Sequence, residues 1–219
     1  MLSCHFLPLL QLLLSSCSCS SFCSCTSSSQ AFLGMDRSSI TVPKPPKRNV
    51  IRIKIISMGD AGCGKSCLIK RYCEEKFVSK YISTIGVDYG VKSVVVNNQQ
   101  VKANFWDLAG GPEYFDVRNE FYRDAQGAIL VFDVSNRSSF EALEAWVQEA
   151  YKHGAKDLQI AVCGNKCDSK SREVKPKEAQ AWANKNGYLY FETSANSGEN
   201  VAACFNDLFT AVVRNLPQR

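Results

Sequence analysis

Gly59-Asp60-Ala61-Gly62-Cys63-Gly64-Lys65-Ser66 decides how the rest of the sequence is read. It fits the pattern G-x-x-x-x-G-K-[ST] of a phosphate-binding loop, a pattern that carries meaning only between a strand and a helix. Both are predicted. The preceding run, Val50 to Met58, is mostly apolar and β-branched and reads as a strand, whereas Cys67 to Cys73 reads as a helix. Glycines let backbone N–H groups turn inward and come close to phosphate oxygens, and the helix N-terminus adds partial positive charge. The expected phosphate-binding set is Asp60, Ala61, Gly62, Cys63, Gly64, Lys65, Ser66 and Cys67. Lys65 is placed for the β- and γ-phosphates, and the Ser66 hydroxyl for Mg²⁺. The competing reading is a glycine-rich strand–helix turn that matches by chance.

Working outward toward the C-terminus, Val91–Val96 and Val101–Phe105 predict two strands joined by a turn at Asn97-Asn98-Gln99-Gln100. Trp106-Asp107-Leu108-Ala109-Gly110 ends the second of them. Asp107 thus emerges at the strand's C-terminal end, where a carboxylate holds Mg²⁺ through water, and the Gly110 N–H is aimed at a γ-phosphate. Further strands are predicted at Ala128–Val134, Leu158–Gly164 and Leu189–Glu192, with helices at Ser138–His153, Lys175–Lys185 and from Val201 onward. Alternating strands and helices predict a three-layer α/β domain with a six-stranded, mostly parallel sheet, which binds ligands at the carboxyl ends of its strands. All the motifs fall there.

Asn165-Lys166-Cys167-Asp168 follows the fifth strand and Thr193-Ser194-Ala195 the sixth. An Asp168 carboxylate can accept from the N1–H and 2-amino groups of guanine. Adenine offers a bare acceptor at that edge, so the same carboxylate would go unpaired, a penalty of about 1–3 kcal/mol or more. The Lys166 stem is expected along the base and the Ala195 N–H at the guanine O6, with Ser194 beside it. Phe77 is a candidate for the opposite edge.

Upstream, residues 1–34 do not resemble part of the fold. Phe6–Leu14 is apolar but too short to span a bilayer. Ser15–Ser29 is a low-complexity Ser/Cys tract that cannot bury a core. A secretory signal would carry a basic n-region, and a transit peptide more arginine; Met35 is read instead as the true start. Cysteine palmitoylation has no support. Pro43-Lys44-Pro45-Pro46-Lys47-Arg48 reads as a solvated linker, against a membrane or nuclear-import patch. Residues 1–49 are therefore set apart from a domain at 50–216 with a tail at 217–219. Arg37, Lys44, Lys47 and Arg48, against Asp36 alone, place most of the +5 formal charge outside that domain. A nearly balanced domain gives no reason to invoke nucleic acid. No C-x-x-C pair occurs among the 11 cysteines, and those of the domain read as buried thiols rather than zinc ligands.

Taken together, these motifs resemble those of Ras-superfamily small GTPases over about residues 50–216. Tyr81-Ile82-Ser83-Thr84-Ile85-Gly86-Val87-Asp88 and Trp106-Asp107 resemble the Rab branch. Arg71-Tyr72-Cys73-Glu74, Asp88-Tyr89-Gly90-Val91 and Val117-Arg118-Asn119-Glu120-Phe121-Tyr122 resemble its RabJ (Rbj) group, many members of which carry a J domain after the GTPase domain. The resemblance implies binding of GTP and GDP with Mg²⁺, and Ser66, Thr84 and (through water) Asp107 around the metal. Tyr81 would close over the phosphates. Ile85, Gly86, Val87, Asp88, Tyr89 and Trp106 would form the surface that effectors read, with exchange factors as further partners and the chain acting as a monomer.

Departures from the family pattern shape the expected function. Typical Rab proteins follow Asp-Thr-Ala-Gly with a Gln that orients the attacking water. Here Gly111 and then Pro112 follow Gly110, so no catalytic side chain is assured. Lys65, Thr84 and Gly110 remain to support the transition state, with Glu113 or a partner group as the replacements to consider. The expectation is a guanine-nucleotide switch and GTPase with slow intrinsic hydrolysis. A nearly non-hydrolysing GTP-bound scaffold is the alternative, and a P-loop ATPase or kinase is disfavoured by Asn165–Asp168. The sequence ends Leu216-Pro217-Gln218-Arg219, without prenylatable cysteines or a J domain, so the usual lipid attachment of Rab proteins is not expected. The expected location is cytoplasmic, with nuclear or loosely membrane-associated pools as alternatives.

Overall fold

A computed structural model describes residues 50–217. The leader, Met35 as a start, the linker and the last two residues all lie outside the described residues. The β-branched run forms β1 (Ile51–Met58), and α1 (Lys65–Glu74) follows the glycine loop directly. Then come β2 (Val87–Val96), β3 (Gln99–Leu108), a 3₁₀ turn (Pro112–Tyr114), α2 (Phe115–Asn119) and β4 (Gly127–Asp133). Two helices, α3 (Arg137–Glu141) and α4 (Leu143–Lys152), precede β5 (Gln159–Asn165), and α5 (Pro176–Lys185), β6 (Leu189–Thr193) and α6 (Val201–Asn215) complete the order.

The sheet is six-stranded, in the order β2-β3-β1-β4-β5-β6, and only β2 runs antiparallel to its neighbour. Every residue of β4 is buried, as expected of a central parallel strand covered on both faces. One face packs Ile53, Ile55, Phe105 and Ile129 against Leu68 of α1 and Phe205, Leu208 and Phe209 of α6. The other packs Ile56, Leu130, Phe132 and Val162 against Trp146 and Val147 of α4 and Ala179 and Ala183 of α5. The architecture is the predicted three-layer α/β sandwich.

Register sets up the site. Ser57 of β1 lies opposite Asp107 of β3, Asp133 of β4 opposite Asn165 of β5, and Asn165 opposite Thr193 of β6. The strands thus deliver their last polar residues along one edge.

Two local expectations are corrected, and two short elements are new. The β2–β3 turn has two residues rather than four, because Asn97 (φ 49°) and Asn98 (φ 62°) both take left-handed backbone and Val96 pairs with Gln99. Two positive φ values match the right-handed twist of a hairpin, and asparagine tolerates them. The helix predicted over Ser138–His153 is interrupted at Ala142, although the Ala142 amide still donates to Ser138 O (3.0 Å). The short 3₁₀ turn and α2 were missed because Phe115 and Val117 are exposed and supply no apolar periodicity. Of the domain cysteines, Cys63, Cys163 and Cys204 are buried, whereas Cys67, Cys73 and Cys167 are half-buried.

Phe205 is 1% exposed and packs its ring 4.4 Å from Tyr72 and 5.5 Å from Phe105. Phe205→Ala is expected to cost about 3–5 kcal/mol of unfolding free energy in urea titration. A loss below about 1 kcal/mol would contradict this packing.

Candidate functional site

The phosphate loop turns into α1 through Gly64, which has a φ of 94°. A Cβ there would be strained, and it would also collide with the Asn165 side-chain amide. Lys65 is 6% exposed, and its Nζ donates to Gly59 O (2.7 Å) and Asp60 O (3.0 Å). Burial pushes this ammonium below the usual lysine range, with the Asp107 carboxylate the largest opposing influence. A cation removed from water and held by neutral carbonyls is stabilised by an anion, so the loop suits a phosphate.

Three oxygen-bearing side chains predicted to serve Mg²⁺ come together beside it. Ser66 Oγ lies 2.9 Å from Thr84 Oγ1, which donates to Asp107 Oδ2 at 3.4 Å. Hydroxyl and carboxylate oxygens are what a hard cation takes, so the donor set fits Mg²⁺. Ser57, which sequence reasoning missed, orients this carboxylate: its Oγ donates to Asp107 Oδ1 (2.7 Å) and accepts from the Leu108 N–H (3.0 Å). The available signal was a lone hydroxyl in the apolar second half of β1, Ile55-Ile56-Ser57-Met58. Gly110 lies so near the loop that a Cβ would fall within 3.0 Å of Gly59 O and of the Asp60–Ala61 peptide. Tyr81 and Thr84 face Gly62, Lys65 and Gly110 across a cleft of about 30 Å³, room for one or two water-sized groups.

On the base side, Asn165 is 1% exposed and joins loops instead of pointing outward. Its Nδ2 donates to Cys63 O (2.8 Å), and its Oδ1 accepts from the Ala195 N–H (3.3 Å). The Ala195 N–H, expected at a guanine O6, is therefore directed at Asn165, because the Asn165–Thr193 register brings the two together. Asp168 is exposed, and hydrogen bonds from Ser194 and Asn196 hold its carboxyl below the usual range, so it is an acceptor at neutral pH. Lys166 takes a φ of 63°, and its Nζ pairs with Asp133 Oδ2 at 2.5 Å, a partner the sequence did not single out. Phe77 is 39% exposed on the segment after α1, and the geometry does not tie it to this loop.

The predicted effector residues form an exposed strip. Ile85 is 82% and Tyr89 52% exposed, Asp88 is exposed, and Gly86 and Val87 are half-buried. Tyr89 stacks 4.8 Å from Trp106, which lies 5.0 Å from Phe121. The Ala109 N–H donates to Gly86 O (2.9 Å), joining this strip to the Gly110 segment.

A network that motif reading did not anticipate fastens that segment from behind. Arg118 donates to Gly111 O (2.7 Å) and to both oxygens of Glu149 (2.6 and 2.9 Å). The Tyr122 hydroxyl also donates to Glu149 (2.6 Å). The Arg118 guanidinium stacks 4.4 Å from the Trp146 ring, whose Nε1–H reaches Asp60 Oδ1 (2.7 Å) on the phosphate loop.

The sequence profile of the Ras family matches residues 54–214. The chain belongs to the Ras family. Ras-family domains are GTP-binding small GTPases that use Mg²⁺, in accord with the oxygen donors and buried lysine described above. Relatives carry the name DnaJ homolog subfamily C member 27. The chicken protein (Gallus gallus) is 50% identical over 172 residues, 76% of this chain and 63% of its own length. The human protein (Homo sapiens) is 50% identical over 176 residues, 78% and 64% of the two chains. The rat protein (Rattus norvegicus) is 48% identical over 182 residues, 80% and 66%. This Ras-family chain thus spans less than two thirds of the length of these relatives.

The Arg118–Glu149 pair is expected to lose its stabilising effect on the domain in acid. Burial raises the Glu149 carboxyl, but the hydrogen bonds from Arg118 and Tyr122 outweigh it and leave the group below its ordinary 4.5. A depressed carboxylate contributes stability that is complete above the unfolded value and is lost as pH falls through the folded one. Glu149→Gln leaves a buried guanidinium without its counter-charge, so it is expected to cost about 3–5 kcal/mol at pH 7. Urea unfolding at successive pH values should show that difference shrinking below about pH 4.5; a constant difference would disprove the linkage.

Proposed function

We propose that this chain is a Rab-like guanine-nucleotide switch of the RabJ group, holding GTP or GDP with Mg²⁺ and hydrolysing GTP slowly. The observation that carries this reading is the convergence of Ser66, Thr84 and Asp107 oxygens beside the buried Lys65 ammonium. Similarity to DnaJ homolog subfamily C member 27 and the motifs at Tyr81–Asp88 and Val117–Tyr122 support the subgroup. When bound, Mg²⁺ neutralises developing charge on the phosphates; Ser66 and Thr84 would ligate it directly and Asp107 through water. Guanine preference rests with Asp168, held as an ionised acceptor by Ser194 and Asn196.

The strip formed by Ile85, Asp88, Tyr89 and Trp106 is the proposed effector surface, read when γ-phosphate contacts order Thr84 and Gly110. Effector and exchange-factor proteins are the proposed partners, with the chain working as a monomer in the cytoplasm. Slow turnover follows from Gly111, since a residue without a side chain cannot orient the attacking water as the Gln does in Ras. A switch of this kind spends long periods GTP-bound, and in the limit of no hydrolysis it becomes a GTP-dependent scaffold.

Two measurements on the full chain test this. Guanine nucleotides should displace a fluorescent GDP whereas ATP does not, and Asp168→Ala should weaken GDP by roughly tenfold to a hundredfold. Equal displacement by ATP and GTP would overturn the base assignment. Single-turnover conversion of Mg²⁺·GTP should run well below that of a Rab protein carrying Gln after the Asp-x-Ala-Gly motif. Comparable rates would overturn the argument from Gly111.

A further inference from the structure

We infer that the Glu113 carboxylate takes the place of the missing side chain at position 111 and orients the attacking water. This deepens the GTPase reading above and rests on it.

The observation is a replacement of volume. A Cβ built on Gly111 would lie within 3.0 Å of both carboxylate oxygens and of Cδ of Glu113. The Glu113 side chain therefore folds back over the bare face of Gly111, into the space through which a residue-111 side chain would leave the backbone. Three constraints bring it there. Gly110 is pressed against the phosphate loop, where no side chain fits between them. The Gly111 carbonyl is fixed by Arg118 (2.7 Å), itself anchored on Glu149. Pro112 then opens a 3₁₀ turn in which the Tyr114 N–H returns to Gly111 O (3.2 Å), and this tight turn carries residue 113 back over residue 111. Gly111 itself has φ −73° and ψ 143°, extended backbone open to any residue, so no conformational demand of its own requires a glycine here. The glycine leaves a space, and Glu113 fills it.

A carboxylate accepts hydrogen bonds only, and water needs an acceptor to turn its lone pair toward phosphorus. The water oxygen forms the bond to the γ-phosphorus while the bond to the β–γ bridging oxygen breaks, its electron pair leaving on GDP. One water proton ends on the hydrogen phosphate and the other is released to solvent. Glu113 holds the water and need not keep a proton. Its negative charge beside the γ-phosphate opposes GTP, so this arrangement is weaker than a neutral amide in the same place.

The test is single-turnover hydrolysis by the full chain loaded with Mg²⁺·GTP, with GTP and GDP dissociation rates measured on the same samples. Glu113→Ala should slow hydrolysis about tenfold or more, while Glu113→Gln, of the same shape and uncharged, should equal or exceed the parent. Neither should change GDP dissociation more than about twofold, because Glu113 is exposed and GDP lacks the γ-phosphate that its charge opposes. Binding of GDP with aluminium fluoride, a mimic of the phosphoryl group in transfer, should weaken in Glu113→Ala and persist in Glu113→Gln. In a Gly111→Gln background the new amide takes over the position, so adding Glu113→Ala should cost less than about twofold. Equal hydrolysis by parent and Glu113→Ala, or an identical loss in Glu113→Gln, would overturn the role of Glu113 alone. Failure of the parent chain to retain GTP would overturn the functional reading and this role with it.

Discussion

Asn165, at the end of β5, holds two loops with one buried amide. Its Nδ2 satisfies the Cys63 carbonyl of the phosphate loop, and its Oδ1 receives the Ala195 N–H from the loop after β6. Gly64 packs against the same side chain with no room for a Cβ. A buried amide satisfied on both sides fixes its neighbours in relative position, whereas an unsatisfied one would cost about 1–3 kcal/mol. The phosphate loop and the loop after β6 are therefore tied together through this one side chain.

The Gly110–Gly111 segment depends on a different force. Arg118 is buried, and a buried guanidinium is tolerated only when its charge is paired and its donors are used. Glu149, Gly111 O and the Trp146 ring meet those needs together. The requirement to satisfy Arg118 thus ties the backbone beside the expected γ-phosphate position to α4. Through Trp146 and Asp60 it is tied to the phosphate loop as well. On this side, what the site can do is set by a hydrogen-bonded charge as much as by the glycine motif.

Much of this was legible in the sequence, and the reason differs from element to element. The β-branched run of β1 and the unbroken apolar run of β4 have a single sensible place, inside a sheet covered on both faces. Gly59–Ser66 is contiguous, so its geometry is local and a linear pattern captures it. Asp107 and Asn165 were singled out because each belongs to a contiguous motif, Trp106–Gly110 and Asn165–Asp168, at the carboxyl end of a strand. The two-residue turn at Asn97-Asn98 was less so, since Gln99 and Gln100 carry the same polar signal whether they turn or pair. Ser57 and Asp133 were missed because a polar residue at the end of a strand announces neither its partner nor its direction. Arg118 and Glu149 stand far apart in the chain, and nothing local marks them as a pair.

What the sequence alone determined is therefore the fold class and the set of strands, because these follow from local pattern and residue type; the same pattern placed a glycine loop between β1 and α1. Tertiary structure decided which groups meet. It turned the Ala195 N–H toward Asn165, drew Lys166 to Asp133, fastened Gly111 through Arg118 and folded Glu113 over the face of Gly111. Those outcomes arise from sheet register and from the need of each buried polar group for a partner, and both are properties of the packed chain as a whole.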